Sequence, residues 1–269
     1  MGPVRLTVHT GMTTANAGPT LRRSLTLLAG NRTPSHGGGT PFPGFPDPAY
    51  VRAARETPGV TAGLTEGMRA LLARRTAEMD GGARPLGWKI GFNSVPIQQH
   101  FALSGPVVGY LTDATLFAPG TAVPIGGWSH AALEVEVAVR VGDDGGVAGL
   151  GPALELVDLN LGFDDLEPIL AGNVFHRGVV FGPEVPGVDV DGLEVEVRRD
   201  GAVVATGMLE EPPAVTVEAV RSFLNAHGAQ LMAGDRIIAG SMIPALAVAP
   251  GERLSVGFGR LGDLDVQFA

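Results

Sequence analysis

Cysteine is absent from the sequence, since none of its 269 residues is Cys. Disulfide bonds, thiolate metal ligands and a cysteine nucleophile are therefore excluded together. The absence is typical of a reducing compartment, so we expect a cytoplasmic protein. Any catalytic chemistry must come from other side chains.

Positive charge is in short supply. The chain has 19 Lys and Arg residues against 28 Asp and Glu residues, which gives a formal net charge of −9 at pH 7 and a sequence pI near 5.1. A general basic field that would attract a phosphate backbone is missing, so we expect no nucleic-acid partner.

Long apolar runs are also missing. The longest nearly uncharged run, residues 237–250, is shorter than a membrane-spanning helix and is interrupted by Gly240, Pro244 and Pro250. The N-terminal residues contain no apolar segment of the length that a signal peptide needs. We therefore expect neither a membrane span nor a membrane partner.

Lysine occurs once, against 18 arginines, at Lys89 in the segment Gly87-Trp88-Lys89-Ile90-Gly91. A coding preference for arginine explains such a bias, because either side chain serves as a surface cation. The two side chains differ where a proton is exchanged or a compact ammonium is needed. Lys89 is therefore either a chance survivor on the surface or a residue that the function requires as lysine.

The composition, 45% hydrophobic and 17% charged residues, suits a packed core. Residues 31–48 are rich in Gly and Pro and predict a linker, preceded by a short helix at residues 21–28. Apolar residues at helical spacing predict a helix over Thr65–Met79 that ends at Gly81-Gly82. We therefore divide the chain into an N-terminal extension with its linker, residues 1–61, and a main domain, residues 62–269.

From residue 86 onward, short alternating runs between Gly and Pro turns predict a β-rich body. The predicted strands are 86–93, 132–141, 151–160, 178–182, 193–206, 236–241, 245–249, 253–258 and 263–268. A helix with Thr216 as its N-cap and Gly228 at its end interrupts them. The fold class is therefore α+β, with helices before and within a large, mostly antiparallel or mixed sheet.

Two acids alternate with valine in Leu133-Glu134-Val135-Glu136-Val137, so Glu134 and Glu136 share one face of a strand. Their Cα atoms are expected roughly 6.6 Å apart, close enough for both carboxylates to bind one Mg²⁺. The same five letters recur at residues 193–197, next to a hairpin turn signal, where a solvated strand face is the simpler interpretation. The pattern alone therefore leaves a metal site and a solvated face both open.

A third acid favours the metal site. Glu155 stands among Ala, Leu and Val in Pro152-Ala153-Leu154-Glu155-Leu156-Val157-Asp158, where a solvent-facing strand would not place it. Buried carboxylates are paired or coordinate metals.

These motifs, followed by Ala171-Gly172-Asn173 and Ala239-Gly240-Ser241, occur in the order seen in the fumarylacetoacetate hydrolase superfamily. The sequence resembles the branch of 2-keto-4-pentenoate hydratases and 4-oxalocrotonate decarboxylases over residues 62–269. The resemblance implies a mixed β-roll of the fumarylacetoacetate hydrolase C-terminal type with an N-terminal helical region. It also implies a Mg²⁺ or Mn²⁺ site, a homo-oligomer, and small 2-oxo or 2-hydroxydienoic acids as substrates.

By position, the resemblance implies metal ligands at Glu134, Glu136 and Glu155, an active-site lysine at Lys89 and a substrate-carboxylate loop at Ser241. A 2-oxo acid chelates a hard cation through a carboxylate oxygen and its keto oxygen, and the cation then stabilises the developing enolate. Lysine next to the cation adds positive charge or relays a proton, and its desolvation there lowers its pKa.

Three departures separate the chain from the hydratases. Val107 stands where they carry an acid before Gly-x-Leu, and the stretch between Glu136 and Glu155 is much shorter. Their Ala-Asp-Asn-Ala-Ser segment is replaced here by residues 171–177, which contain Asn173, His176 and Arg177. We expect His176 to act in catalysis and Asn173 and Arg177 to bind substrate, with His100 and His130 as weaker candidates.

The leading hypothesis is a metal-dependent lyase, either a 2-oxopent-4-enoate hydratase that adds water or an oxalocrotonate decarboxylase. Hydrolysis of a C–C bond in an acylpyruvate is the alternative if His176 activates water. A non-catalytic descendant or a repurposed member of a specialised pathway stays open because the hydratase-specific groups have changed.

Overall fold

A computed structural model describes residues 58–269, with side chains from Gly63 onward. The predicted helix at residues 21–28 and the linker at 31–48 lie outside the described residues, and the predicted domain boundary stays a prediction. The helices are α1 (Pro58–Asp80), α2 (Val95–His100), α3 (Leu166–Ala171) and α4 (Pro213–Ala226). None of the helices among residues 58–269 has the length and apolar character that a transmembrane helix needs.

Helix α1 covers the predicted span and begins earlier, at Pro58. It buries Met68 and Leu71, and it ends as predicted, because Gly82 adopts φ +101°, a conformation that glycine takes without strain. Gly67 lies so close to α3 that an added Cβ would stand 2.7 Å from Leu170 Cβ.

Thirteen strands are described in the chain. They are β1 (Pro85–Gly91), β2 (Val107–Thr112), β3 (Leu116–Phe117), β4 (Ala122–Val123), β5 (Ala131–Val141), β6 (Val147–Asp158), β7 (His176–Phe181), β8 (Glu194–Arg199), β9 (Ala202–Met208), β10 (Arg236–Ile238), β11 (Leu246–Ala247), β12 (Arg253–Gly257) and β13 (Asp263–Phe268). One sheet has the order β2-β1-β10-β5-β6-β7-β3, with β11 also paired to β5, and the other has the order β4-β13-β12-β8-β9. Parallel pairs (β1 with β10, β3 with β7, β4 with β13) occur beside antiparallel ones, so the predicted α+β class with a mixed sheet is confirmed.

The first sheet is strongly curled. Its end strands β2 and β3 are joined by a single 3-10 turn, Asp113–Thr115. In a flat sheet these strands would lie about 29 Å apart, six spacings of about 4.8 Å, whereas the chain from Thr112 to Leu116 spans at most about 14 Å. The sheet therefore bends until its two ends approach, and strands that are distant in the sheet order face each other across its interior.

Several predicted boundaries need correction. Helix α4 begins at Pro213, because proline suits the first helical position, and Thr216 lies buried inside the helix rather than capping it. The predicted strand 236–241 is only three residues long, since Gly240 adopts φ +93° and turns the chain. His100 is the last residue of α2. The hairpin after residues 193–197 is confirmed, with Asp200 and Gly201 at φ 51° and 80°.

Candidate active site

Three glutamates from two adjacent strands meet on one face of the curled sheet. Glu134 and Glu136 are two residues apart on β5, and Glu155 on β6 is the cross-strand partner of Glu134. Strand alternation places the first two on one face, and the antiparallel register adds the third. One carboxylate oxygen from each lies within 4.8 Å of the others. We call these three residues the glutamate triad.

The triad is deeply buried for its charge. Glu136 and Glu155 have no exposed surface. Glu136 Oε2 accepts a hydrogen bond of 2.7 Å from the Gly240 amide. Glu136 Oε1 and Glu155 Oε2 are buried without a hydrogen-bond partner among the described residues. Since buried polar atoms are nearly always paired, two oxygens of one cluster are left for another ligand.

The electrostatics of the triad also favour an additional ligand, in this case a positively charged one. Burial, together with the charge of Glu155, raises the pKa of Glu134 to about 7. The same two causes raise the pKa of Glu136 well above its usual value. Burial also opposes ionisation of Glu155, but Lys89 and His176 outweigh it and lower the pKa of this carboxyl. The protein on its own therefore disfavours three simultaneous negative charges, and a cation would relieve that repulsion.

The donor set fits a divalent metal ion. It consists of three carboxylates with converging oxygens, two of them unpartnered, and hard cations such as Mg²⁺ and Mn²⁺ prefer oxygen ligands.

Lys89 lies in β1 and is buried against the triad. Its Nζ is 2.5 Å from Glu155 Oε1 and donates to the Val174 carbonyl at 3.0 Å. Strands β1 and β6 are three positions apart in the sheet order, so this contact depends on the curl. Burial alone would lower the pKa of Lys89, but the charges of Glu155 and Glu134 outweigh it and raise the pKa. The lowered pKa expected from the resemblance is therefore not found in the protein on its own.

The Val174 carbonyl is presented by an unusual backbone. Asn173, Val174 and Phe175 have consecutive φ values of 63°, 52° and 65°. This left-handed region is uncommon outside glycine and is costly for a β-branched residue such as Val174. The Asn173 side chain stabilises the segment, since its Oδ1 accepts from the Tyr110 amide and its Nδ2 donates to the Tyr110 carbonyl, both at 2.9 Å. Asn173, predicted to bind substrate, uses its amide for this bridge.

His176 contacts the triad through Glu155 and is buried. Its Nδ1 lies 2.7 Å from Glu155 Oε1, and its Nε2 lies 3.0 Å from Thr115 Oγ1. Burial lowers the pKa of His176, although Glu155 opposes this effect. Both ring nitrogens have protein partners, so the geometry makes His176 a support for Glu155. Its predicted catalytic role stays a prediction.

Ser241 and Arg177 also make contacts within the protein. Ser241 Oγ accepts from the Val135 amide at 3.2 Å and donates to the Ile243 carbonyl at 2.8 Å. This bridge fixes the loop after β10 to β5, between the two triad residues of that strand. Arg177 donates to the His176 carbonyl at 3.0 Å. The predicted substrate contacts of both residues remain untested.

A pocket of about 100 Å³ opens next to the triad. Lys89 and Glu134 line it, together with Asn93 and Ser94 and a set of apolar side chains that includes Phe92, Phe163 and Phe175. Sequence reasoning missed these lining residues, although Phe92-Asn93-Ser94 follows the lysine strand directly. His100 and His130 do not belong to the lining.

Comparison with known proteins finds relatives among hydratases and decarboxylases, the enzymes that the sequence resembles. No protein-family model matches the chain. A 4-oxalocrotonate decarboxylase from a Pseudomonas species is 29% identical over 216 residues, 73% of this chain and 82% of that protein. The 2-keto-4-pentenoate hydratase of Paraburkholderia xenovorans is 28% identical over 211 residues, 70% of this chain and 77% of that protein. The 2-hydroxyhexa-2,4-dienoate hydratase of Comamonas testosteroni is 25% identical over 209 residues, 70% and 79% of the two chains.

Solved structures share the fold. The 4-oxalocrotonate decarboxylase of Pseudomonas putida, complexed with magnesium and adipate, superposes with a TM-score of 0.70 at 22% identity, covering 77% of this chain and 86% of that one. Fumarylpyruvate hydrolase from Pseudomonas aeruginosa, in complex with Mn²⁺ and pyruvate, gives a TM-score of 0.52 at 16% identity, covering 69% and 89%. In its ordered motifs and in these comparisons, the chain is similar to the 2-keto-4-pentenoate hydratases and 4-oxalocrotonate decarboxylases, the branch of the fumarylacetoacetate hydrolase superfamily that its sequence resembles.

Proposed function

We propose that the protein is a divalent-metal-dependent lyase that acts on a 2-oxo or 2-hydroxydienoic acid, with water addition of the 2-oxopent-4-enoate hydratase type as its reaction. The observation that carries this proposal is the buried glutamate triad, with two unpartnered oxygens, beside a buried lysine and a pocket. The hydratases and decarboxylases among the relatives support it. We likewise propose the mixed β-roll of the superfamily for the fold and a homo-oligomer for the assembly.

Glu134, Glu136 and Glu155 would hold the metal ion. When bound, Mg²⁺ or Mn²⁺ supplies a Lewis acid that stabilises negative charge on the keto oxygen of the substrate. Glu134 is the triad member that lines the pocket, so the substrate reaches the triad from its side. Gly240 and Ser241 hold the strand that carries Glu134 and Glu136 through hydrogen bonds to Glu136 and the Val135 amide.

Water addition also requires proton movement. The C4–C5 double bond of a 2-oxopent-4-enoate is not conjugated with the ketone, so a proton must leave C3 and another must arrive at C5 before water adds at C4. Apart from the expected ligand Glu134, Lys89 is the ionisable side chain among the described residues of the pocket lining. We therefore assign proton transfer and stabilisation of the enolate charge to Lys89.

The alternatives to water addition are decarboxylation, acylpyruvate hydrolysis and a non-catalytic role, and they are not equally well supported. Decarboxylation is favoured by the relatives of that name and would use the same triad and lysine. Acylpyruvate hydrolysis through His176 gains no support from the geometry, because the imidazole is buried, makes two protein contacts and does not line the pocket. The intact triad and its lysine speak against a non-catalytic descendant.

Turnover assays test the proposal. Purified protein with Mg²⁺ is mixed with 2-hydroxypenta-2,4-dienoate, and the loss of dienol absorbance is followed with and without EDTA. We expect EDTA-sensitive turnover and 4-hydroxy-2-oxopentanoate as the product by NMR. Oxalocrotonate and acetylpyruvate are run in parallel, because release of CO₂ or acetate would assign the decarboxylase or hydrolase reaction instead. Absence of turnover with all three acids would contradict the proposal.

A further inference from the structure

Three phenylalanines form one wall of the pocket. The ring centroids of Phe92 and Phe163 are 6.1 Å apart, and those of Phe163 and Phe175 are 5.5 Å apart. Phe101 stacks on Phe92 from behind, at 5.4 Å with an interplanar angle of 6°. These separations are typical of packed aromatic pairs. The wall is therefore a supported surface rather than a set of independent side chains.

The rest of the lining adds little polarity. Aliphatic side chains supply much of it: Ile97, Val157, Leu159, Val174 and Ala245. Asn93 and Ser94 are neutral and stand at the exposed end. The pocket thus has an ionic end, formed by Lys89 and Glu134, and an apolar remainder.

Among its described residues, the lining offers no unpaired cation. Lys89 is the one cation among the described lining residues, and its ammonium is paired with Glu155 at 2.5 Å. Arg177 is directed to the His176 carbonyl and does not line the pocket. A carboxylate at the far end of a substrate would therefore exchange part of its hydration for the apolar lining without gaining a cationic partner among the described residues, which is unfavourable.

We propose that the pocket selects monocarboxylic 2-oxo or 2-hydroxydienoic acids with an apolar tail and discriminates against dicarboxylic acids of the same length. This inference rests on the proposed function, because the 2-oxo acid head group is taken to bind at the triad. The volume of about 100 Å³ is below the roughly 150 Å³ of a cavity that holds one benzene molecule, which favours an acid with a short tail. Phe92, Phe163 and Phe175 form the wall against which that tail would pack.

A matched pair of ligands tests the selectivity. The Mg²⁺-loaded protein is titrated by calorimetry with oxalate, which carries the chelating head group alone, and then with 2-oxohexanoate and 2-oxoadipate. The last two acids differ only in a terminal methyl group against a terminal carboxylate. We expect all binding to require Mg²⁺ and 2-oxohexanoate to bind at least 30-fold more tightly than 2-oxoadipate.

The outcomes separate this inference from the proposed function. Oxalate binding combined with equal or tighter binding of 2-oxoadipate would overturn the selectivity and leave the proposed function standing. Failure of oxalate to bind in the presence of Mg²⁺ would overturn both.

Variants identify the cause of the selectivity. Ser94→Arg places a cation at the exposed end of the pocket, and Ser104→Arg is the control, because Ser104 is exposed and lies outside this lining. We expect Ser94→Arg to reduce the preference to less than 5-fold and Ser104→Arg to leave it unchanged. Leu159→Arg, with the cation at another lining position, is the second variant. An unchanged preference in both pocket variants would refute the assignment of selectivity to the missing cation.

Discussion

The Lys89 ammonium lies 2.5 Å from Glu155 Oε1, with both side chains almost completely buried. Removing one partner of such a pair leaves the other charge buried in a low-dielectric environment without an opposite charge. For Lys89→Met we therefore expect the free energy of unfolding to fall by about 3–5 kcal/mol at pH 8. Urea denaturation measures this loss of unfolding free energy. The loss should be smaller at lower pH, because protonation of Glu155 removes its uncompensated negative charge. A pH-independent loss would contradict the electrostatic cause.

Lys89→Arg tests whether the lone lysine is needed as lysine. Arginine keeps the positive charge, but its planar guanidinium is larger than the ammonium and does not exchange its proton readily. We expect kcat for the dienoic acid to fall at least 100-fold while the variant folds. Arg84→Lys is the control for a change of cation type, since Arg84 is 83% exposed in its side chain, and it should retain full turnover. Full activity in Lys89→Arg would show that the function does not require lysine at this position, and coding preference would then explain the single lysine.

The repeated pentapeptide offers a matched pair of variants for the metal site. Glu136 and Glu196 occupy the same position in Leu-Glu-Val-Glu-Val, but Glu136 is buried in the triad, whereas the Glu196 side chain is 42% exposed and pairs with Arg198. We expect Glu136→Gln to weaken Mn²⁺ binding at least 100-fold by calorimetry, because one of three converging carboxylates is lost. Glu196→Gln should bind Mn²⁺ as the unmodified protein does. Equal affinities in the two variants would remove Glu136 from the metal site.

The stability of the metal-free protein should depend on pH through Glu134. Its pKa is raised from 4.5 to about 7, so between these pH values the folded state holds a proton that the unfolded chain has lost. The stability from this group is complete below pH 4.5 and is lost as pH rises from 4.5 through 7, at about 1.4 kcal/mol per pH unit. His176, with its lowered pKa, acts in the opposite direction below pH 6.5, so the comparison must isolate Glu134. The difference in unfolding free energy between unmodified protein and Glu134→Gln should decline over this range in EDTA, and a rising difference would contradict the assignment.

The sequence predicts the triad because the patterns that mark its three residues lie within single strands. Alternation along β5 fixes Glu134 and Glu136 on one face, and an acid among apolar neighbours marks Glu155. The approach of Lys89 to Glu155 could not be predicted from the residues alone, because it depends on strand order and on the curl of the sheet. The hydrogen-bond partners of Asn173 and Ser241 could not be predicted either, because an amide or a hydroxyl forms hydrogen bonds equally well with substrate or with backbone.

Asn173 gives a direct test of structural against substrate-binding roles. Its amide makes two buried hydrogen bonds to the Tyr110 backbone, and its φ of 63° lies in a region that Asn tolerates better than Ala. Asn173→Ala should therefore lower the free energy of unfolding by about 2–4 kcal/mol, from the unpaired Tyr110 groups and backbone strain. Asn173→Gly removes the same hydrogen bonds without the strain, so its loss should be smaller by about 1 kcal/mol. Urea denaturation of both variants distinguishes the two causes. A substrate-binding role predicts instead an unchanged unfolding free energy in both variants and a raised KM.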